Sequence, residues 1–375
     1  MKDQFGPEYI VKVYDAHIGM EGFLVVDNTA LGPGKGGIRM TANLSEEEVG
    51  RLARTMTWKN ALAGIPFGGA KAGIIWPGGD AKLKKGFVQS FALAIKPFIP
   101  RKYIAGPDVN TGEKEMQWFV ETTGNWHSAT GKPVNLCMKL FGKAGEKCGI
   151  PHEFGSTGFG VAQAVAETAK ALNINIRGAR VAIHGFGNVG TFIYTYLRNM
   201  GAVIVAVADR SGAIFAKEGL DDLEIQKVMK EKQLVSECKQ CRKISDKEFW
   251  KIPVDFLIPA SVTDVINETN KNDIRAKAII EAGNIPMNEK IEEELFKKGI
   301  FILPDFVANA GGVISSYAEY RGYNPKKMFD LVERKIKSST RIVLEQSIKL
   351  KKSPRRVALA IAQEKVEAGM NKHIT

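Results

Sequence analysis

Residues Arg180–Gly190 read RVAIHGFGNVG, and this stretch decides the fold. The run RVAIH predicts a buried strand, and residues 189–200 have the pattern of a helix. Between the two lies the pattern G-x-G-x-x-G, formed by Gly185, Gly187 and Gly190. Because this pattern binds dinucleotides when a strand precedes it and a helix follows it, the stretch predicts a dinucleotide-binding domain.

Each glycine of the pattern has its own role in such a turn. Gly185 permits the tight turn, Gly187 lets the backbone approach a pyrophosphate, and Gly190 lets helix and strand pack closely, while free N–H groups at the helix start face the phosphates. Asp209 ends the next apolar run, 19 positions after Gly190. Its carboxylate can accept hydrogen bonds from the adenine ribose, which favours NAD, whereas Arg210 can meet the 2′-phosphate of NADP. The choice between NAD and NADP stays open.

The regions around this stretch predict the rest of the architecture. Further strand-sized apolar runs alternate with helical segments and lie at 203–208, 256–258, 277–281 and 301–303. Continuous apolar strands that alternate with helices predict a parallel sheet covered on both faces. The 375 residues are too many for one ordinary core, so the expected fold class is α/β with two domains.

Composition and charge narrow the class of protein. Hydrophobic residues make up 44% and charged residues 25% of the chain, which is typical of a globular protein without a membrane span. The first residues, MKDQFGPEYI, carry charges where a signal peptide has an apolar run, so we expect a cytoplasmic location. The net charge is +12, and the excess lies mainly after Arg321. No interleaved aromatic pattern accompanies it, which favours a solvated basic helix face over nucleic-acid binding.

The four cysteines predict neither a disulfide framework nor a metal site. Cys238 and Cys241 form a lone C-x-x-C, with no further ligands at recognisable spacing. Half a zinc site and a redox pair are the alternatives, but we expect this pair to be ordinary thiols in a charged loop, and Cys137 and Cys148 to be structural.

Three lysines of the N-terminal half stand in unusual surroundings. They are Lys35 in GPGKGG, Lys59 in TWKN and Lys71 in GGAKAG. Glycines beside a lysine indicate backbone packed closely around its ammonium group, which a lysine on a solvated helix does not need. Asp108 follows in AGPDVN, a turn-forming sequence that can place a carboxylate in a cleft. Taken together, the four residues predict a catalytic site.

Several motifs resemble those of the Glu/Leu/Phe/Val dehydrogenase family. In chain order they read GPGKGGIRM, MTWKNALAGIPFGGAKAGI, GPDVNTGEKEMQW, STGFGV, HGFGNVG, VADRSG, FLIPAS and PDFVANAGGVISSYAE. They cover roughly residues 21–319, and several are long enough to be specific. The resemblance implies an enzyme that uses NAD or NADP to deaminate an amino acid oxidatively, releasing ammonium.

The resemblance also implies how the chain is divided. We expect a substrate-binding and oligomerisation domain over 1–154 and a Rossmann-like dinucleotide-binding domain over 155–327. Helices over 328–375 would return to the first domain. A homohexamer is the expected assembly.

Roles for individual residues follow from the same resemblance. Lys71 would be the general base that activates the attacking water, with a pKa lowered by burial and nearby positive charge. Asp108 would exchange protons with the substrate nitrogen, and Lys59 would bind the substrate α-carboxylate. The other substrate contacts would come from Lys35, Met56, Asn309, Val313 and Ser316. The coenzyme would be bound by the three glycines, by Asp209 and by Arg210. Further coenzyme contacts would come from Thr157, Asn188, Val189, Asn284 and Asn309.

Two positions indicate which amino acid is the substrate. Glutamate enzymes of the family have a lysine at the position of Lys35 and a serine at that of Ser316, whereas branched-chain and aromatic relatives have apolar residues there. A buried lysine without a carboxylate to meet it would be costly. We therefore expect L-glutamate, 2-oxoglutarate and ammonium as substrates. A leucine-, valine- or phenylalanine-type dehydrogenase and a catalytically silent nucleotide- or RNA-binding relative stay open as alternatives.

Several segments depart from the family pattern, and one of them lies at the predicted coenzyme site. Residues 281–286 read EAGNIP where the family usually has EGANGP. Because the resemblance places Asn284 at the coenzyme, this departure concerns the contact with the nicotinamide.

Overall fold

The computed structural model describes residues 2–137, 148–151, 154–239 and 241–372. The chain divides into two compact units, each built from more than one segment. Unit 1 comprises Met1–Phe154, Val313–Leu331 and Leu359–Thr375, and unit 2 comprises Gly155–Gly312 and Val332–Ala358. The change of unit at 155 lies where the predicted domain boundary was placed. The later changes at 313, 332 and 359 differ from the single predicted boundary at 328, because the C-terminal helices alternate between the units.

In the described residues before 154, unit 1 contains a six-stranded sheet and three α-helices. The strands are β1 (Tyr9–Asp15), β2 (Met20–Asn28), β3 (Gly34–Lys35), β4 (Ile38–Thr41), β5 (Gly68–Ile75) and β6 (Tyr103–Ile104). The helices are α1 (Glu46–Ala63), α2 (Ala81–Ala94) and α3 (Glu113–Thr123). The strand order is β1-β2-β5-β3-β6, and β4 also pairs with β5.

Strand β5 lies at the centre of unit 1 and is buried over almost its whole length. It pairs antiparallel with β2 and parallel with β3 and β4. Helix α1 packs nearby; Ser45 caps its start through the N–H of Glu48, and Gly64 ends it in a left-handed conformation with φ 61°. This capping agrees with the preference for serine at helix starts and glycine just past helix ends. The result is a rigid support for side chains on β3, β5 and α1.

Unit 2 begins with α4 and then alternates strands with helices. The strands are β7 (Arg180–His184), β8 (Val203–Asp209), β9 (Gly212–Phe215), β10 (Arg242–Ile244), β11 (Val254–Pro259), β12 (Ala276–Ile280) and β13 (Phe301–Leu303). The helices are α4 (Ser156–Ala171), α5 (Asn188–Asn199), α6 (Asp222–Lys230), α7 (Asp246–Phe249), α8 (Glu289–Lys297) and α9 (Asp305–Ala308).

The seven strands of unit 2 form one sheet in the order β10-β9-β8-β7-β11-β12-β13. The five strands from β8 to β13 in this order are parallel, as the apolar runs predicted. The short strands β9 and β10 add an antiparallel edge that the sequence patterns did not predict. Strand β10 is only RKI and mostly exposed, so it lacks the buried apolar run that identified the others.

Three helices complete the chain: α10 (Gly311–Tyr320), α11 (Pro325–Leu350) and α12 (Pro354–Lys372). Helices α11 and α12 each contribute residues to both units. No helix in the described ranges is long and apolar enough to cross a membrane.

The cysteines differ from the expectation of thiols. Disulfides join Cys137 to Cys148 and Cys238 to Cys241. The first pair lies in an isolated antiparallel bridge, where two Cα atoms come close enough for a disulfide. Sequence spacing could not show this approach for residues eleven positions apart.

Candidate active site and coenzyme cavity

A charged cluster in unit 1 joins Lys71, Asp108 and Arg39. Lys71 lies on β5, and its Nζ is 3.1 Å from Asp108 Oδ2. Arg39 lies on β4, and its Nε donates to the same carboxylate oxygen at 2.8 Å. The Arg39 Nη1 forms a second ion pair with Glu48 at 2.7 Å. Asp108 is thereby held between two cations, one of which is the predicted general base.

The pKa values of this pair depend on burial and on the shared charges. Burial lowers the pKa of Lys71; Asp108 opposes that effect, and the positive charge of Arg39 adds to it. Burial by itself would raise the pKa of Asp108, but Lys71 and Arg39 outweigh it and hold that pKa below its usual value. A lysine with a lowered pKa can lose its proton nearer neutrality, as a general base must.

Glycines let the backbone approach these charged groups closely. A Cβ on Gly37 would lie 2.8 Å from Asp108 Cβ, and one on Gly106 would lie 2.5 Å from Lys35 Nζ. A Cβ on Gly36 would lie 1.7 Å from the carbonyl oxygen of Ala70. This is the close packing that the glycine neighbours of the lysines indicated.

Lys35 lies on β3 and is only 3% exposed. Its Nζ donates a hydrogen bond of 2.8 Å to the Ala105 carbonyl. Burial lowers the pKa of Lys35 to about 7, with Glu319 opposing the shift and Lys132 and Lys71 adding to it. Since Glu319 is already bound to Lys132, a carboxylate from a ligand would be the missing partner for Lys35.

The other predicted substrate residues lie on two helices. Lys59 is buried on α1, and Met56 is half-buried three positions earlier on the same helix. Ser316 is buried and Val313 half-buried on α10, again three positions apart and therefore on one face. Among the residues that the structure describes, no hydrogen bond joins Ser316 to Lys35 or to Asp108. Of the predicted catalytic residues, Lys71 and Asp108 thus form a direct ion pair, and Arg39 contacts the same carboxylate.

Unit 2 contains a cavity of about 880 Å³ at the carboxyl ends of its strands. Residues of the predicted coenzyme site that line it are Gly185, Gly187, Asn188, Asp209 and Arg210. The chain leaves β7 toward β8 and later returns to the opposite side of β7 as β11. Ligands of open α/β sheets bind at such a switch point, which is where this cavity lies.

The glycine pattern has the geometry that a dinucleotide requires. Gly185 has φ 110°, a left-handed conformation that favours glycine. A Cβ on Gly190 would lie 1.9 Å from the Gly185 carbonyl oxygen, so α5 packs directly on the turn. A Cβ on Gly187 would meet nothing within 4 Å, which leaves open space above the start of α5. Gly190 is buried and Val189 half-buried, and neither residue lines the cavity.

The carboxylate of Asp209 already accepts hydrogen bonds from its own loop. Oδ1 accepts from the N–H of Ser211 at 2.8 Å and from its hydroxyl at 2.5 Å. Oδ2 accepts from the N–H of Val235 at 2.9 Å. Arg210, which is exposed, and Lys232 line the same cavity. Positive side chains therefore lie beside the negative Asp209 at this end of the cavity.

Asn309 organises the turn that follows β12. Its Nδ2 donates to the carbonyls of Ala282 and Gly283 at 3.2 Å and to Asn284 Oδ1 at 3.1 Å. Its Oδ1 is buried and has no hydrogen-bond partner among the described residues. An amide donor, such as a nicotinamide carboxamide, would satisfy this oxygen. Thr157, also predicted at the coenzyme, is half-buried at the start of α4.

Comparison with known proteins relates both halves of the chain to one protein family. The family model for the "Glu/Leu/Phe/Val dehydrogenase, dimerisation domain" matches residues 7–125. The family model for "Glutamate/Leucine/Phenylalanine/Valine dehydrogenase" matches residues 148–373. The chain belongs to the Glu/Leu/Phe/Val dehydrogenase family. The resemblance carried by the sequence motifs, and with it the class of NAD- or NADP-dependent oxidoreductase, is confirmed.

Individual family members are similar over most of their length. Glutamate dehydrogenase of Aeropyrum pernix is 35% identical, over 92% of this chain and 84% of its own. The NADP-specific enzyme of Saccharolobus shibatae is 36% identical (78% and 69%), and the NAD-specific enzyme of Clostridioides difficile is 34% identical (83% and 75%). The hetero-hexameric glutamate dehydrogenase of Thermus thermophilus, in a leucine-bound form, superposes with a TM-score of 0.83 at 26% identity, covering 97% of this chain and 89% of its own.

The structure of this Glu/Leu/Phe/Val dehydrogenase also shows residues at the two sites that the sequence patterns did not indicate. Arg39 belongs to the motif GPGKGGIRM, yet nothing local signals that it reaches a carboxylate 69 positions away. His184 and Ser261 line the coenzyme cavity and contact each other at 2.9 Å. Ser261 ends the motif FLIPAS. This motif indicated the family, but it did not indicate that Ser261 contacts His184.

Proposed function

We propose that the protein catalyses the reversible oxidative deamination of L-glutamate to 2-oxoglutarate and ammonium, with NAD or NADP as coenzyme. The observation that carries the proposal is the buried Lys71–Asp108 pair beside a second buried lysine, Lys35. The relatives described above, which carry the name glutamate dehydrogenase, support the same substrate.

Within this reaction the chain supplies binding and proton transfer. NAD or NADP, held by Gly185, Gly187, Asn188 and Asp209 at the cavity of unit 2, would supply the acceptor or donor of the hydride. Lys71, with its lowered pKa, takes the proton of the water that attacks the imino carbon. Asp108 exchanges a proton with the substrate nitrogen, and Lys59 binds the α-carboxylate.

Lys35 gives the proposal its specificity for glutamate. A lysine this deeply buried needs a partner of opposite charge, and the side-chain carboxylate of glutamate provides one. An apolar amino acid would leave the ammonium group unpaired, or neutral at a free-energy cost. Ser316, Met56 and Val313 complete the proposed substrate contacts of unit 1. The substrate contact of Asn309, which directly follows α9, stays a prediction from the resemblance.

The first experiment follows the absorbance of NADH and of NADPH with 2-oxoglutarate and ammonium, and with the oxo acids of leucine and phenylalanine for comparison. We expect the fastest oxidation with 2-oxoglutarate. Faster turnover of an apolar oxo acid would contradict the assignment to glutamate. Absence of turnover with every oxo acid, in protein that binds NADH, would favour a catalytically silent relative.

The substitution Lys35→Met tests the specificity directly. Loss of one partner of a buried charge pair costs about 2–5 kcal/mol, so kcat/KM for 2-oxoglutarate should fall by roughly 30-fold or more. Turnover of apolar oxo acids should be retained or should rise. Lys12→Met is the control, because Lys12 is an exposed lysine of the same unit that pairs with Glu21. An equal loss for all oxo acids would show that Lys35 does not select the substrate.

Two further features belong to the proposal. We expect a homohexamer, in line with the hexameric Thermus thermophilus relative. We also expect a cytoplasmic location, which fractionation of the source cells would check.

A further inference from the structure

Arg355 lies at the start of α12, within the basic run KLKKSPRR that the sequence patterns assigned to a solvated helix face. Its side chain is only 17% exposed, whereas that of the next residue, Arg356, is 68% exposed. Arg355 therefore does not belong to the solvated face. Its guanidinium group enters a cluster of three carboxylates in unit 2, which we call the acid cluster: Glu281, Glu292 and Asp305.

Each carboxylate of the acid cluster contacts Arg355. Its Nη2 lies 2.7 Å from Glu281 Oε2 and 3.4 Å from Asp305 Oδ1. Its Nε donates to Glu292 Oε2. The three acidic side chains are almost completely buried. The planar guanidinium group has enough donors, in a fixed geometry, to hold all three in place, which a lysine ammonium group cannot match.

The acid cluster is a poor choice for stability alone. One positive charge faces three carboxylates, and burial raises the pKa of both Glu281 and Glu292 although Arg355 opposes the shift. The second oxygen of each of these glutamates is buried and has no hydrogen-bond partner among the described residues. Well-packed apolar residues often stabilise a fold as well as a buried charge network or better. A geometric role for the cluster is therefore the more economical explanation.

The acid cluster and Asn309 both hold the turn at residues 281–286. Glu281, where the turn begins, accepts a hydrogen bond of 2.8 Å from the N–H of Asp305. Asp305 in turn accepts from the N–H of Ile285 at 3.0 Å. Ile285 has φ 49°, which is an unusual conformation for a β-branched residue and needs support from its surroundings. Asn309 binds the same turn through Ala282, Gly283 and Asn284.

The position of this turn in the sheet relates it to one half of the coenzyme. Asp209, at the end of β8, marks the adenosine side of the switch point between β7 and β11. The turn follows β12, on the opposite side of β7, and its residues 282 and 283 bond to the end of β11. The nicotinamide half of a dinucleotide would extend to this side. The unpaired Oδ1 of Asn309 is an acceptor of the kind that a carboxamide needs.

We propose that Arg355 is a positioning residue for the nicotinamide half of the coenzyme, acting through the acid cluster on the turn at residues 281–286 and on Asn309. The inference rests on the proposed binding of NAD or NADP. It gives a role to one residue of the basic C-terminal region, and it explains how the segment EAGNIP keeps a defined shape despite its departure from the family pattern.

The test compares a whole dinucleotide with its adenosine half. Dissociation constants are measured by calorimetry for NADH and ADP-ribose, or for NADPH and 2′-phospho-ADP-ribose, whichever pair the wild type binds more tightly. Arg355→Lys keeps the charge and loses the guanidinium geometry. We expect it to weaken dinucleotide binding about tenfold while the ADP-ribose compound binds within twofold of the wild type.

Arg355→Met removes the charge and can prevent folding, so it is combined with Glu292→Gln, which removes one carboxylate that does not bond to the turn. We expect this double variant to fold and to lose more dinucleotide affinity than Arg355→Lys. Arg356→Met is the matched control, since Arg356 is the exposed neighbour on the same helix, and both of its dissociation constants should equal those of the wild type.

Two results would overturn the inference. If Arg355→Lys and the double variant keep the wild-type ratio of the two dissociation constants, Arg355 does not act on the nicotinamide half. An equal loss of affinity for both ligands would assign Arg355 to the stability of the whole unit. A wild-type protein that binds neither dinucleotide would refute the proposed function first, and this inference with it.

Discussion

At the scale of single residues, the candidate active site depends on one carboxylate oxygen that two cations share. Asp108 Oδ2 contacts both Lys71 and Arg39, and Arg39 in turn contacts Glu48. The charge on each group therefore affects the proton affinity of the next. Arg39 lowers the pKa of Lys71, whereas Glu48 raises it, after the larger effects of burial and Asp108.

This arrangement predicts opposite shifts in the pH dependence of two variants. Activity requires the neutral form of Lys71, so kcat/KM should rise as pH increases through the pKa of Lys71. Arg39→Met removes a positive charge, raises that pKa and should move the acid limb of kcat/KM upward by about one pH unit. Glu48→Gln removes a negative charge and should move the same limb downward. Measured pH–rate profiles with shifts of the same sign would contradict the assignment of Lys71 as the base.

At the scale of secondary-structure elements, the turn between β7 and α5 separates packing from ligand contact. Gly190 lies against the Gly185 carbonyl, where a Cβ would come within 1.9 Å. Gly187 faces open space at the start of α5 and has φ −88°, which an alanine also adopts. Two glycines three positions apart thus serve different purposes.

The two glycines should respond differently to substitution by alanine. Gly190→Ala overpacks the turn and should destabilise the fold by about 1–3 kcal/mol, measured by denaturant unfolding. Gly187→Ala should leave the free energy of unfolding unchanged and weaken NADH or NADPH binding, because the added methyl group occupies the approach to the pyrophosphate. Unchanged dinucleotide affinity in Gly187→Ala would argue against the proposed position of the pyrophosphate.

At the scale of the whole molecule, chain length and charge bear on assembly and partners. Each chain has a mass of 41.1 kDa and a net charge of +12. The excess positive charge after residue 321 is partly accounted for by Arg355, which is neutralised within the acid cluster. The remaining exposed lysines and arginines form a solvated surface on the C-terminal helices.

Light scattering coupled to size exclusion should report a particle of about 250 kDa, the mass of six chains in a closed assembly. The mass should stay constant over a tenfold range of protein concentration, as expected for a permanent interface. A monomeric or dimeric mass in active protein would contradict the proposed hexamer.

The same samples should show RNA association only at low salt, since nonspecific electrostatic binding weakens steeply as salt is added.

Much of the fold follows from local sequence patterns. The five parallel strands of unit 2 were predicted from short apolar runs, because burial on both faces of a sheet demands continuous hydrophobicity. The glycine pattern identified the turn at 185–190, since only glycine tolerates φ 110° and the contact at 1.9 Å. Lys35, Lys71 and Asp108 were found for a similar reason: their glycine neighbours record a close approach of backbone.

Other features depend on contacts between distant parts of the chain. The edge strands β9 and β10 lack a long buried apolar run, and they are formed by pairing, β9 with β8 and β10 with β9. The alternation of the C-terminal helices between two units follows from packing that helical periodicity does not encode. The pairing of Cys137 with Cys148 was also invisible to spacing, because Cα distance decides whether two cysteines can join.

The sequence by itself determined the α/β class, the dinucleotide turn and the identity of the charged residues, because each depends on chemistry within a few neighbouring positions. Only the tertiary structure decided their partners. It brought Arg39 to Asp108 across 69 positions and Arg355 to Glu281 across 74. An ion pair depends on distance in space and on the exclusion of water, and neither quantity is written in the order of residues along the chain.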